Sequence, residues 1–306
     1  MSEYRHVALI GLGLIASSIS HAIRRAGMET RITGYARSAP TRREAQELGL
    51  AEVFPTIAEA VKDADLVILC TPVGAMGEVA AEMKMHLARG ATVSDVGSVK
   101  HAVIEAVRPH LPADVHFVPA HPIAGTEHSG PSAGFASLFD NRWCLLTPLP
   151  ETSPEAVERL AAFWRALGAR VDAMEPQHHD LVLAVTSHVP HLIAFTVVGV
   201  ADDLSRVTES EVINYSAAGF RDFTRIAASD PVMWRDVFLS NKEATLEILG
   251  RFTEELFALQ RAIRLGEGPQ LRDYFARTRE IRRSIIEAGQ DTPAADFGRS
   301  QEAPGE

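Results

Sequence analysis

The chain has 306 residues, 46% of them hydrophobic and 23% charged, which is globular composition at a length suited to two domains. It holds 30 basic against 40 acidic residues, a net charge of −10 with no basic run, which argues against nucleic acid and for a small molecule held by a few placed cations. Two cysteines, Cys70 and Cys144, both in apolar runs, exclude a disulfide framework and are expected to be buried and reduced.

From 1 to 172, short apolar runs alternate with helical segments. Residues 6–10 (HVALI) predict a buried strand and 14–26 a helix. A strand at 31–35 and a helix at 42–48 follow, then a strand at 65–70 and a helix running on to 87. Strands at 91–95 and 116–118 flank a helix at 99–107; strands at 143–147 and 169–171 flank a helix at 154–167. Such alternation predicts a mainly parallel sheet covered on both faces. The Pro/Gly-rich stretch 122–137 reads as a long loop at a site.

From 173 to 288 the strands stop and the chain reads as all-helical. Residues 181–201 carry no Asp, Glu, Lys or Arg over a membrane-spanning length, but their centre, TSHVPH, suits lipid poorly. A buried helix of a soluble protein, kinked at Pro190, is expected. Helical periodicity continues over 241–265 and 271–287, and 289–306 reads as a disordered tail. The N-terminus has no cleavable signal layout, so a cytoplasmic protein without a membrane anchor is expected.

Gly11-Leu12-Gly13-Leu14-Ile15-Ala16 sits between the first strand and the first helix. There Gly11 permits a tight turn, Gly13 lets a pyrophosphate approach the main chain, and the helix start at Leu14 and Ile15 offers N–H groups to phosphate. Thr71 and Pro72 close the strand at 65–70, where a ligand crevice is expected. At the end of the second strand no Asp or Glu occurs from 30 to 43. Arg37 and Ser38, with Arg42, can form a 2′-phosphate pocket, which leans toward NADP or dual use, or they are simply a solvated helix start. Ser98 and His121 stand at two further strand ends. His188 and His191 share a helix face; no third metal ligand accompanies them, and either can be a core histidine. Arg225 lies among apolar neighbours and, if buried, needs an anion, which Asp222 or a ligand can supply.

GLGLIAS, DVGSVK, HPIAGTE, TSHVPH and GFRDFTRIAASDPVMW occur in that order, and over residues 5–288 the chain resembles the prephenate/arogenate dehydrogenase family of tyrosine biosynthesis. The resemblance implies a Rossmann-type domain, here 1–172, followed by a helical substrate and dimerisation domain, here 173–288, with the site in their cleft. It implies oxidative decarboxylation of prephenate or arogenate with NAD(P), and a homodimer. It implies His121 as catalytic histidine, Ser98 as its hydroxyl partner, Arg225 as carboxylate binder, and His188 and His191 in the substrate pocket. Glu127 and Asp222 match an acidic network around Arg225. Many members carry Asp where this chain has Ala36, which weakens the expectation of strict NAD use. Absence of Asp and Glu over 181–201 favours prephenate, whose side chain carries a keto group, over the ammonium of arogenate. Two other readings remain open: another Rossmann-plus-helical dehydrogenase or reductase of small hydroxy acids or imines, and a non-enzymatic NAD(P)-binding redox sensor.

Overall fold

The computed structural model describes residues 4–126, 128–208 and 217–287; Glu127 and the expected tail at 289–306 lie outside the described residues. Strands β1 (His6–Ile10), β2 (Arg31–Tyr35), β3 (Glu52–Val53), β4 (Leu66–Leu69), β5 (Thr92–Asp95) and β6 (His116–Phe117) form one parallel sheet in the order β3-β2-β1-β4-β5-β6. That is the Rossmann order, with the chain reversing direction of travel at β1/β4.

Side chains alternate across the sheet. Val7, Leu9, Leu66 and Ile68 meet helices α1 (Leu14–Arg25) and α6 (Pro154–Ala166) through Ile19, Ile23, Leu160 and Trp164. Ala8, Ile10, Val67 and Val93 meet α3 (Ile57–Val61), α4 (Met76–Met83) and α5 (His101–Val107) through Met76, Met83, Val103 and Val107. Each such large apolar side chain stabilises the fold by roughly 1.5–3 kcal/mol, so covering both faces makes the apolar runs near-continuous.

Several expectations need correction. Strand β3 and helix α3 were not anticipated, and α2 (Ala39–Glu47) begins at Ala39, with Ser38 as its cap, rather than at 42. The run 143–147 does not extend the parallel sheet. As β8 (Trp143–Leu146) it joins a second, three-stranded sheet, antiparallel to β7 (Ala120–Pro122) and parallel to β9 (Arg170–Ala173). His121 is therefore a strand residue, paired with Leu145, and not part of a loop.

The helical part begins with α7 (Pro176–Leu183), passes through a π-helical turn (Ala184–His188) and continues as α8 (Val189–Thr208). Pro190 has no N–H to donate back along the helix. The chain accommodates it one turn early: Val189 N–H reaches five residues back to the Ala184 carbonyl, which widens the turn. Within one chain, residues 181–201 form a helix that is only partly buried. Leu183, Ala184, His188, Val189 and Ala194 are buried, whereas Val185 is 50% and Val200 55% exposed. By length and composition the helical run Pro176–Asp203 is sufficient to cross a membrane. Next come α9 (Ala218–Thr224), a 3-10 turn (Arg225–Ala228) and α10 (Pro231–Ser240), whose first turn is capped by Asp230 accepting from Met233 N–H at 2.8 Å. Val99, Trp234 and Val237 form a small core joining the start of α5 to α10.

One compact unit runs to Ile248 and a second begins at Leu249. The second holds most of α11 (Lys242–Leu265) and all of α12 (Gly268–Glu287), joined by a tight turn at Gly266, whose φ is +70°.

Candidate active site

The turn after β1 can only be glycine. Gly11 has φ +101°, and a Cβ there would stand 2.7 Å from the Cys70 carbonyl and 2.9 Å from Thr71 N. Its N–H donates to the Tyr35 carbonyl at 2.8 Å. Gly13 then caps α1 with no side-chain cap and no acidic residue in the first turn. A Cβ on Gly13 would meet nothing within 4 Å, so space lies open before the N–H groups that begin at Leu14 and Ile15. Ala16 is fully buried at the helix–sheet contact. Among the described residues Thr71 Oγ1 is buried without a hydrogen-bond partner, and Pro72 beside it is exposed. A Cβ-free turn, an uncapped helix start and an orphaned hydroxyl fit the pyrophosphate of a dinucleotide.

At the end of β2, Ala36 offers no carboxylate. Ser38 Oγ accepts from Thr41 N–H at 3.5 Å as the cap of α2. Arg42 Nη1 donates to the Ala36 and Arg37 carbonyls at 2.5 and 3.0 Å, and its guanidinium carbon lies 5.8 Å from the Tyr35 ring centroid. Arg42 therefore braces the loop, and Arg37 and Arg43 are exposed cations.

The end of β5 holds a buried ion pair. Lys100 Nζ binds Asp95 Oδ2, and both side chains are fully enclosed. The pair grips Ala120 on both sides: Lys100 Nζ donates to its carbonyl at 2.7 Å, and its N–H donates to Asp95 Oδ1 at 3.2 Å. Asp95 Oδ2 also accepts from Gly97 N–H at 2.8 Å. This clamp fixes the strand position just before His121.

His121 is buried, and its Nδ1 lies 3.0 Å from His179 Nε2. His179 Nδ1 lies 2.9 Å from Asp180 Oδ1. Asp180 in turn accepts from Lys100 N–H at 2.7 Å and His101 N–H at 2.9 Å, capping α5. Asn241 Nδ2 donates to the Asp180 carbonyl at 2.8 Å and lies 3.0 Å from His188 Nδ1. Since Asn241 donates, His188 Nδ1 accepts, and its N–H is on Nε2, which is buried and reaches no well-formed hydrogen bond among the described residues. His191 stacks on Trp234 with centroids 3.8 Å apart and bonds the Ser187 carbonyl at 2.8 Å.

Burial is the main influence on every one of these imidazoles. It pushes His121 well below the ordinary histidine value, aided by His179, Lys100 and His188. It lowers His188 to about 4, against an upward pull from Asp180 and a smaller one from the Ser98 main chain. His191 is lowered by burial and by Arg225, against the bond to Ser187. The fold thus gathers His121, His188, His191, Arg225 and the Ser98 main chain into one electrostatic neighbourhood. Arg225 itself is exposed rather than buried, at the start of its 3-10 turn, and Asp222 is half-buried on α9. His179, Asp180 and Asn241 were not singled out in the sequence; the run His178-His179-Asp180 was the available signal for two of them.

Residues 19–173 match the family described as prephenate dehydrogenase, nucleotide-binding domain, and residues 175–277 match prephenate dehydrogenase, dimerization domain. A cyclohexadienyl dehydrogenase of Zymomonas mobilis is 40% identical over 93% of this chain and 97% of its own. A prephenate dehydrogenase of Bacillus subtilis is 34% identical over 90% of this chain and 75% of its own. The crystal structure of prephenate dehydrogenase from Aquifex aeolicus with hydroxyphenyl propionate and NAD+ superposes with a TM-score of 0.86 at 33% identity, covering 93% of this chain and 99% of that one.

Proposed function

The chain belongs to the prephenate dehydrogenase family, and from that premise we propose that it oxidatively decarboxylates prephenate to 4-hydroxyphenylpyruvate and also accepts arogenate less well. It is a nicotinamide-dependent oxidoreductase with a Rossmann-type domain followed by helices. Bound NAD(P)+ supplies the hydride acceptor. As the ring carbinol gives up its hydride, His121 would take its O–H proton. Breaking the bond between ring and carboxylate releases CO₂, its electron pair completes the aromatic ring as a phenolate, and the proton held by His121 would return to that oxygen to give the phenol.

One observation carries this reading: a buried, neutral His121 is held on β7, with His179 and His188 as its electrostatic neighbours. A neutral imidazole is the base that a carbinol proton needs near pH 7. Ser98 orients the same hydroxyl. Arg225 clamps a carboxylate, and His188, through Nε2–H, and His191 line the pocket. Asp222 supplies acidic charge toward Arg225. Gly11, Gly13, Leu14, Ile15, Thr71 and Pro72 hold the pyrophosphate, while Arg37 and Ser38 admit a 2′-phosphate, so NADP is used at least comparably with NAD.

Residues 1–172 serve the dinucleotide and 173–288 the substrate and a homodimer interface, in a cytoplasmic enzyme. Neither a hydroxy-acid or imine reductase nor a redox sensor finds support in relatives named cyclohexadienyl and prephenate dehydrogenases. The test is reduction of NAD and of NADP with prephenate and arogenate offered separately. Turnover with prephenate is expected; none with either substrate overturns the reading.

A further inference from the structure

His179 and Asp180 have no place in the chemistry above, yet they stand behind the proposed base. His179 is fully enclosed and Asp180 is 5% exposed, so neither is open to a substrate. Whatever they do, they do through His121.

Their hydrogen bonds determine where protons sit. Asp180 accepts three bonds: Lys100 N–H and His179 Nδ1 on Oδ1, and His101 N–H on Oδ2. Burial raises its pKa, but these bonds outweigh burial and hold the carboxyl below its ordinary value, so it is ionised at neutrality. An ionised carboxylate only accepts, so His179 carries its proton on Nδ1. Burial also lowers His179 in spite of Asp180, so the ring is neutral and its Nε2 is bare. The atom 3.0 Å from that bare nitrogen is His121 Nδ1. Two bare nitrogens cannot form this contact, so His121 Nδ1 is the donor.

We infer that Asp180 and His179 are positioning residues that lock His121 in its Nδ1–H tautomer, leaving Nε2 as its one basic nitrogen, aimed away from the protein relay. The inference rests on His121 being the base. When Nε2 takes the carbinol proton, the new imidazolium keeps its Nδ1–H bond to His179, and the Asp180 charge behind that ring stabilises it without a second proton moving. The sequence places the two residues side by side at the start of α7, where Asp180 also caps α5. One carboxylate thus ties the sheet domain's helix to the orientation of the base.

The test uses the full-length protein labelled with ¹⁵N-histidine and free of substrate. The His121 ring signals are assigned by their loss in His121→Asn. Wild type should show a protonated Nδ1 and a bare Nε2 near neutral pH. His179→Phe keeps ring volume but removes the acceptor, and should populate Nε2–H on His121. Its kcat with prephenate should fall by on the order of 10²-fold, within the range a positioned base supplies, with KM little changed. His179→Gln, whose amide oxygen can accept from Nδ1–H, should recover much of both the ring pattern and kcat. A wild-type His121 protonated on Nε2 overturns the inference, even if His179→Phe does not fold. So does a folded His179→Phe with the wild-type pattern and kcat, or a folded His179→Gln no better than Phe. Absence of wild-type turnover counts against the proposed function instead, because the ring pattern is read without substrate.

Discussion

Burial at His121 acts twice on one residue: it keeps the imidazole neutral, and it limits the ring to a single hydrogen-bonded orientation. A base lowered in this way stays able to accept a proton below the ordinary histidine range. The acid limb of kcat/KM should therefore lie below about 6.5, the unperturbed value. His121→Asn should cost about 10²–10⁴-fold in kcat while dinucleotide affinity, measured by titration calorimetry, stays within a few-fold. Near-normal kcat would remove His121 from the role of base. Arg225 is exposed and lowers His191 across the pocket, so its charge is directed at the same space. A charged hydrogen bond is worth about 1.5–3 kcal/mol, so Arg225→Ala should raise the prephenate KM roughly tenfold to a hundredfold. An unchanged KM would make Arg225 purely structural. His121, His188 and His191 were legible in the sequence because each interrupts an apolar run. His179 was not, because a polar residue in the first turns of a helix is ordinary. Asn241 was not, because 53 residues separate it from His188 and only the fold joins them.

Among the elements, the strands of four or five residues were legible, and so was β6 within 116–118, whereas β3 and β7 were not. β3 has two residues and β7 three, too few to show a period of two. The π-turn before Pro190 was legible only as a disturbance, since periodicity gives a helix but not which carbonyl each N–H selects. The absence of charge over 181–201 gave an apolar helix but not its cover, because composition does not say what packs on it; one chain covers it only in part. The β2–α2 junction shows a similar division. Of three polar residues there, Ser38 caps the helix and Arg42 braces two carbonyls, which leaves the Arg37 side chain exposed. Arg37→Ala should then raise the KM for NADP by about tenfold, the worth of one charged hydrogen bond, and leave that for NAD unchanged. Equal effects on both cofactors would show that Arg37 does not meet the 2′-phosphate.

At the scale of the whole molecule, the exposed apolar side chains are concentrated in the helical part. Val185 and Val200 are at least half exposed in the first unit, as are Leu256, Phe257, Phe275 and Ile281 in the second. Soluble chains rarely leave such surface open, so light scattering at micromolar concentration should give about twice 33.2 kDa. A mass of one chain would refute the dimer. The buried histidines also set how stability depends on pH. His188 is lowered from 6.5 to about 4 by burial, with His179 and His191 adding to the fall and Asp180 and the Ser98 main chain opposing it. His121 and His179 are lowered in the same direction. In the unfolded chain these imidazoles take up protons as pH falls through about 6.5, whereas the native chain refuses them. Their contribution is therefore fully present above that pH and is lost progressively as pH falls toward 4. For His188 alone the depression corresponds to roughly 3 kcal/mol, a large part of the 5–15 kcal/mol that holds an ordinary domain folded. The urea midpoint should therefore fall steeply between about pH 7 and 5, before ordinary carboxylates titrate. His188→Asn should flatten that slope, because the group that refuses the proton is gone. A midpoint constant across this range would mean that the native protein opens locally and protonates His188 without unfolding.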